Sequence, residues 1–184
     1  MNKEIFREYD IRGGVEKDLT DDVVKNIAKA VGAYMVERGK KNASIGRDCR
    51  LSSDHFRDLV VEGMVESGLD VIDLGVVPTP LFYYSLFNLE VDGGIMITGS
   101  HNPGDQNGFK VAYGKSTLFG EEIQNIRKLI EEKRFVRGAG SVREYKTIVD
   151  DYYDFLRRNI SLNKSFNVVI DAGNGTGGVV ALPV

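Results

Sequence analysis

Residues 94–112 read GIMITGSHNPGDQNGFKVA, and their pattern is the strongest indication of the fold class. Its two ends, 94–97 and 109–112, have the length and apolar composition of buried strands. The segment between them is polar and rich in Gly, Asn and Pro, as turns and loops are. A loop of this kind joins two neighbouring strands that run in opposite directions. We therefore expect an antiparallel pair within a larger sheet.

Around this pair, strand and helix patterns alternate along the chain, and a turn is predicted at 10–14. Further strands are predicted at 43–46 and 71–74 from short apolar runs bounded by polar or glycine residues. Helices are predicted from apolar spacing and end signals; they run from Thr20 to before Gly39, from Ser52 or Ser53 to before Gly68, from Pro78 through Phe87, from about Glu121 to Lys133, and from about Ile148 to Arg158. This alternation predicts an α/β layer fold with a mixed, largely parallel sheet.

The end of the chain predicts a strand at 167–171, a glycine-rich turn at 172–178 and an apolar segment at 179–184. The turn matches the dinucleotide-binding spacing G-x-G-x-x-G, which keeps an NAD(P)-binding oxidoreductase as an alternative. The acidic ribose partner, about 20 residues further on, would lie beyond the sequence, so a structural turn is favoured. We expect residues 1–160 to form one domain and 161–184 to be the truncated start of a second.

Composition limits the class of protein. The net charge is −3 and no dense Lys/Arg run occurs, which argues against a nucleic-acid partner. The N-terminus turns charged at once and no apolar run reaches the roughly 18 residues of a spanning helix, so neither a signal peptide nor a membrane partner is expected. Cys49 is the only cysteine, which excludes an internal disulfide. These features predict a cytoplasmic protein.

Ser100 is the candidate reactive residue, because it follows directly after a predicted strand, where α/β sheets place their ligands. A hydrolase would need a base directed at this serine and a third group behind the base. His101 is adjacent in sequence, so we expect its side chain to diverge from Ser100. Thr98 and Asn102 stand where a nucleophile elbow has glycines. Hydrolase chemistry is therefore poorly supported, and an ordinary long turn remains an alternative.

Phosphoryl transfer fits the same residues better. It needs an oxygen nucleophile surrounded by positive charge and N–H donors, with little help from an acid or a base. Ser100 would hold the phosphate, with His101, Lys110 and local amides around it. Arg12, in the predicted early turn, and Arg47, after a predicted strand, would add positive charge.

The loop sequence TGSHNP at 98–103, continued by NGFK at 107–110, resembles the phosphoserine loop of the α-D-phosphohexomutases. It is closest to the bacterial phosphomannomutase/phosphoglucomutase branch of that family. FREYDIRG at 6–13, GVVPTP at 75–80 and DAGNG at 171–175 resemble further family landmarks, in the family's order. The resemblance implies a three-layer α/β/α domain with a mixed, largely parallel sheet.

The resemblance also implies a reversible mutase that interconverts hexose 1- and 6-phosphates through a phosphoserine and a hexose 1,6-bisphosphate, which also acts as activator. It assigns catalytic roles to Ser100, Lys110 and His101, and substrate or phosphate binding to Tyr9, Arg12 and Asn102. One oxygen of the phosphate on Ser100 would bind Mg²⁺. In the family, the other metal ligands and most sugar contacts come from later domains, so the 184 residues alone are expected to lack turnover. A sugar-phosphate-binding module without turnover remains an alternative.

Overall fold

The computed structural model describes residues 1–181. Seven strands run Ile11–Gly14 (β1), Asn42–Arg47 (β2), Asp70–Val76 (β3), Gly93–Ile97 (β4), Gln106–Tyr113 (β5), Ser116–Thr117 (β6) and Val142–Glu144 (β7). The α-helices run Asp21–Val36 (α1), Ser53–Glu66 (α2), Thr79–Asn88 (α3), Glu121–Glu131 (α4), Ile148–Asn159 (α5) and Gly177–Val180 (α6). Lys3–Ile5 form one turn of 3-10 helix. The five long helices and the strands β2 to β5 lie where the sequence predicts them.

The strands form one mixed sheet in the order β1-β5-β4-β2-β3-β7, with β6 added beside β5. Strands β4, β2, β3 and β7 are parallel, whereas β5 runs antiparallel to both of its neighbours in that order. The predicted antiparallel pair is confirmed, since Ile95 lies opposite Val111 and Ile97 opposite Phe109. The mixed, largely parallel sheet is therefore as expected.

Helices cover both faces of the sheet because successive side chains of a strand point to opposite sides. Ile95 and Ile97 of β4 join a buried cluster with side chains of α1, α2 and α4. Met96, between them, joins a second cluster with side chains of α3 and α5. Each of these three side chains is at most 1% exposed, and burying one contributes about 1.5–3 kcal/mol. The result is a three-layer α/β/α arrangement.

The turn predicted at 10–14 is wrong, because most of it forms strand β1. Ile11 pairs with Phe109, and Gly14 with Gln106, at the edge of the sheet. A Cβ at Gly108 would lie 2.4 Å from the carbonyl oxygen of Ile11, so the close approach of the two strands requires glycine there. Two glycines give β1 a weak intrinsic strand preference, and its conformation depends on pairing with β5.

The strand predicted at 167–171 is also wrong, since this segment has no regular structure. Val168 is 72% exposed and Val169 97%. Within residues 1–181, no strand pairs with it to take up its backbone hydrogen bonds, which a strand requires. Of the predicted apolar segment 179–184, residues 182–184 lie outside the described part of the chain. In residues 1–181, no helix combines the length and the apolar character needed to cross a membrane.

Candidate functional site

A cleft of about 760 Å³ opens beyond the ends of β2 and β4. Residues 48–51, which follow β2, line one part of it, and residues of the 98–104 segment, which follow β4, line another. The glycine-rich turn, residues 173–176, lines a third part. Because β2 and β4 are parallel, their carboxyl ends meet at one edge of the sheet, the usual location of sites in such folds. Ser100 lies in this cleft, where the sequence places it.

The backbone around Ser100 is strained and held by local hydrogen bonds. Ser100 has φ 54°, in the left-handed region that costs a non-glycine residue about 1–2 kcal/mol. Its N–H donates to Thr98 Oγ1 at 2.9 Å, and the Asn102 N–H donates to the Gly99 carbonyl at 3.0 Å. The Ser100 side chain is exposed. Strain of this kind concentrates at functional sites, where the surrounding structure maintains it.

Asp48 and Arg50, which follow β2, hold this loop in place by hydrogen bonds. Asp48 is 8% exposed, and its carboxylate accepts hydrogen bonds from the Gly99 N–H at 3.1 Å and the Ser53 hydroxyl at 2.6 Å. Arg50 donates to backbone carbonyls of the loop, including that of Ser100 at 3.0 Å. Sequence reasoning missed both residues, although their place after a strand end parallel to β4 was a usable signal.

A buried carboxylate draws three of the expected site residues together. Asp10 is 6% exposed, and its Oδ2 lies 2.7 Å from Arg12 Nε and 3.4 Å from Lys110 Nζ. Arg12 Nη1 also donates to Asn102 Oδ1 at 3.0 Å. Burial, with the Asp10 charge nearby, raises the pKa of the Tyr83 phenol. Two cations and an amide of the expected set thus converge beside the Ser100 loop, through a carboxylate that the sequence did not single out.

From the sequence we expect the His101 side chain to diverge from that of Ser100, and this expectation is wrong. The His101 Nδ1 lies 3.4 Å from Ser100 Oγ, at the position where Ser100 has left-handed backbone geometry. This is a long contact for a hydrogen bond. Among the residues that the structure describes, no carboxylate contacts the His101 ring, so the third member of a hydrolytic triad is lacking.

Two expected contributors lie elsewhere. Tyr9 is 68% exposed, and within residues 1–181 its side chain makes no hydrogen bond and does not line the cleft. Arg47 is directed away from the cleft, towards Asp54 and Asp73, with its Nη1 3.6 Å from Asp73 Oδ1. The suggestion that Arg47 adds charge around the serine is therefore wrong, because strand geometry turns it towards β3.

The glycine-rich turn does not present its amides to a ligand. The N–H of Gly173 donates to Asp171 Oδ1 at 2.8 Å, and that of Gly175 to the Ala172 carbonyl at 2.8 Å. The Gly178 N–H donates to the Gly175 carbonyl at 3.1 Å. A pyrophosphate site needs such groups free. The turn instead contacts the cleft wall, where Thr176 Oγ1 accepts from the Cys49 N–H at 3.2 Å.

The described residues do not fit a self-contained Mg²⁺ site. In residues 1–181, no three His, Cys, Asp or Glu side chains cluster so as to hold a metal ion. Asp48, the carboxylate that lines the cleft, already accepts hydrogen bonds from Gly99, Ser53 and the Arg50 N–H. Mg²⁺ requires about six oxygen ligands in near-octahedral geometry, more than this cleft offers.

Comparison with known proteins gives a consistent family. The family model described as phosphoglucomutase/phosphomannomutase, alpha/beta/alpha domain I, matches residues 3–137. A phosphoglucomutase of Neisseria gonorrhoeae is 42% identical over 183 residues, covering 98% of this chain and 40% of its own length. A phosphomannomutase/phosphoglucomutase of Pseudomonas aeruginosa is 43% identical over 177 residues, covering 96% of this chain and 38% of its own length.

A solved structure gives the same result. The X-ray crystal structure of a phosphoglucomutase/phosphomannomutase family protein from Burkholderia thailandensis is 36% identical, with a TM-score of 0.94. The match covers 98% of this chain and 41% of the chain in that crystal structure. The chain thus spans about 40% of the length of these relatives. Since the family model matches more than half of its residues, the chain belongs to the phosphoglucomutase/phosphomannomutase family.

Proposed function

We propose that Ser100 carries a phosphoryl group and that the full-length gene product interconverts hexose 1- and 6-phosphates. The observation that carries this proposal is the exposed, left-handed Ser100 at a strand end, with Arg12 and Lys110 beside its loop. Family membership supports it, since relatives are named phosphoglucomutase and phosphomannomutase/phosphoglucomutase. The substrates are then small-molecule hexose phosphates, and we place the reaction in the cytoplasm.

The proposed reaction consists of two phosphoryl transfers. A hydroxyl of the hexose monophosphate attacks the phosphorus on Ser100, the bond from phosphorus to Ser100 Oγ breaks, and the hydroxyl proton passes to a protein base. The resulting hexose 1,6-bisphosphate reorients in the cleft, and Ser100 Oγ, which has taken up the proton from the base, attacks the phosphorus of the other phosphate. The bond from that phosphorus to the sugar oxygen breaks, and the proton of Ser100 passes through the base to that sugar oxygen. Hexose 1,6-bisphosphate added from outside would phosphorylate an empty Ser100, which makes it an activator.

Positive charge and donors near Ser100 suit these transfers, because the charge of a moving phosphoryl group must be stabilised. We propose that Lys110 supports the phosphoserine and helps to move the proton, and that His101 donates to the phosphate from its position 3.4 Å from Ser100 Oγ. Arg12 and Asn102, joined by a 3.0 Å hydrogen bond, would bind substrate phosphate or hydroxyl groups. Tyr9, whose ring is exposed, would contact the substrate once it is bound.

A phosphate on Ser100 would supply one oxygen to Mg²⁺, with the remaining ligands coming from outside residues 1–181. We further propose that residues from about 161 onward belong to a second domain, because Leu162, Phe166 and Val169 expose 57–97% of their surface. It follows that the 184 residues alone should not turn over substrate. Conversion of glucose 1-phosphate to glucose 6-phosphate by the purified chain, free of contaminating mutase, would contradict this.

The test of the function is a mutase assay on the full-length gene product, with glucose 1-phosphate and mannose 1-phosphate. Ser100→Ala should lower the conversion rate by at least about 1,000-fold, because the phosphoryl acceptor is lost. Ser116→Ala, on the exposed strand β6, is the matched control and should retain activity. Binding of hexose phosphate by the wild type without conversion would favour a sugar-phosphate-binding module instead.

A further inference from the structure

The side chain of Arg50 runs beneath the loop that carries Ser100 and is largely buried, with 14% of its surface exposed. Its Nη2 donates to the carbonyls of Ser100 at 3.0 Å and Asn102 at 2.6 Å. Its Nη1 donates to the carbonyls of Pro103 at 2.6 Å and Gln106 at 2.9 Å. One guanidinium therefore holds three backbone carbonyls of the loop and that of Gln106, the first residue of β5.

The Nε of Arg50 lies beside the buried carboxylate of Asp48. This nitrogen is 3.3 Å from Asp48 Oδ2, the same oxygen that accepts the Gly99 N–H at 3.1 Å. A guanidinium has five N–H donors and no acceptor. Four N–H donors of Nη1 and Nη2 go to backbone carbonyls and Nε forms an ion pair with Asp48, so the guanidinium is engaged within the protein. Arg50 lines the cleft because it lies against the loop whose carbonyls it binds.

The loop sequence leaves space for this guanidinium. A Cβ at Gly99 would lie 2.5 Å from Arg50 Nε and 2.6 Å from Arg50 Cζ, closer than non-bonded atoms approach. Any larger residue at this position would displace the guanidinium from under the loop. Gly99, Arg50 and Asp48 therefore form one fitted unit next to the strained backbone of Ser100.

We propose that Arg50 is a positioning residue, which fixes the left-handed turn at Ser100 and so directs Ser100 Oγ into the cleft. Carbonyls in a turn of this length would otherwise bond to water, and the loop would sample several conformations. The inference rests on the proposed function, since what Arg50 positions is the phosphoryl carrier. Arg50 itself touches neither the substrate nor the reacting atoms.

The direct test is amide hydrogen exchange on the 184-residue chain, which needs no activity. The N–H groups of Asn102 and Gln106 donate to carbonyls within the loop and report its order. Arg50→Gln should speed their exchange by at least about 10-fold relative to the wild type. The matched control is Arg57→Gln, because Arg57 is similarly buried and pairs with a buried carboxylate, that of Asp73, on α2 and β3 instead.

Equal exchange at these two amides in the Arg50→Gln and Arg57→Gln variants would overturn the proposal. If Arg50→Gln fails to fold, Arg50→Lys carries the same comparison, since an ammonium cannot span four carbonyls but keeps the charge. It should show intermediate exchange.

A second measurement follows phosphorylation of Ser100 by glucose 1,6-bisphosphate in the full-length gene product. Arg50→Gln should lower the maximal rate by roughly 100-fold with KM changed by less than about 3-fold, because misplacement of a reacting atom acts mainly on the rate. A loss confined to KM would mean that Arg50 binds substrate and would overturn the assignment. If wild-type Ser100 takes no phosphate, the proposed function fails, and the exchange data still decide the role of Arg50.

Discussion

Residues 98–108 and 172–178 are both glycine-rich segments that follow an apolar run, yet their structures differ. The first follows β4, which lies between β2 and β5 and is buried throughout. The second follows residues 167–171, which are exposed and unpaired within residues 1–181. An apolar pattern thus forms a strand where neighbouring strands take up its backbone hydrogen bonds. The two loops are also held differently: Arg50 donates to carbonyls of the first, whereas the glycine N–H groups of the second donate to acceptors within residues 171–178.

The largest expected difference between the two regions is in core packing. Ile97→Ala should lower the free energy of unfolding by about 2–5 kcal/mol, because Ile97 is fully buried and truncation leaves a cavity. Val169→Ala, at a side chain 97% exposed, should change it by less than about 0.5 kcal/mol. Urea unfolding followed by circular dichroism measures both, and similar losses would mean that 167–171 is packed in solution.

Glycine replacement gives the second contrast. Gly99→Ala should destabilise the chain by about 1–3 kcal/mol, because its Cβ overlaps the Arg50 guanidinium. It should also lower phosphorylation of Ser100 in the full-length gene product. Gly177→Ala, whose Cβ would lie 3.8 Å from its nearest neighbour, should cost nothing. Thermal unfolding of both variants checks this, and a stable Gly99→Ala variant with full phosphorylation would show that the fit beneath the loop is unimportant.

Some elements of the fold could be predicted from the sequence, and others could not. The long helices and the central strands follow from apolar periodicity, which depends on residues close in sequence. Strand β1 does not, because two of its four residues are glycines and its conformation comes from pairing with β5, about 95 residues further on. The edge strand β7 was not predicted either, because its three residues are all exposed and form no apolar pattern.

The site was predictable to a similar degree. Ser100 was singled out from its position after a strand, Lys110 and Arg12 as cations suited to phosphoryl transfer, and Asn102 from the family resemblance. The supporting residues were missed because their partners are distant in sequence. Arg47 and Arg50 stand three residues apart, and nothing in the composition says that Arg50, rather than Arg47, turns towards a loop about 50 residues away.

The smallest expected contrast concerns two aspartates that accept glycine N–H groups, Asp18 from Gly14 and Asp171 from Gly173. Hydrogen bonds from Asn2 and Gly14 lower the pKa of Asp18 below its ordinary 3.8. A lowered folded-state pKa adds stability above 3.8 that is lost as pH falls through the folded value. Asp18→Asn should thus be slightly less stable than the wild type at pH 7, with the gap closing below about pH 3.8.

Asp171→Asn is the matched control, and should leave stability unchanged from pH 7 to pH 3 because the segment is exposed. Chemical denaturation across this pH range measures both variants. A gap for Asp18→Asn that widens in acid would contradict the assigned direction of the pKa shift.

Mass spectrometry tests whether Ser100 carries the phosphoryl group. The full-length gene product is incubated with glucose 1,6-bisphosphate and Mg²⁺, digested, and searched for phosphate in the peptide that contains residues 98–108. We expect one phosphate, located on Ser100, which is absent in Ser100→Ala and retained in Ser116→Ala. Phosphate on another residue, or an unmodified Ser100 in an enzyme that converts hexose phosphates, would contradict it.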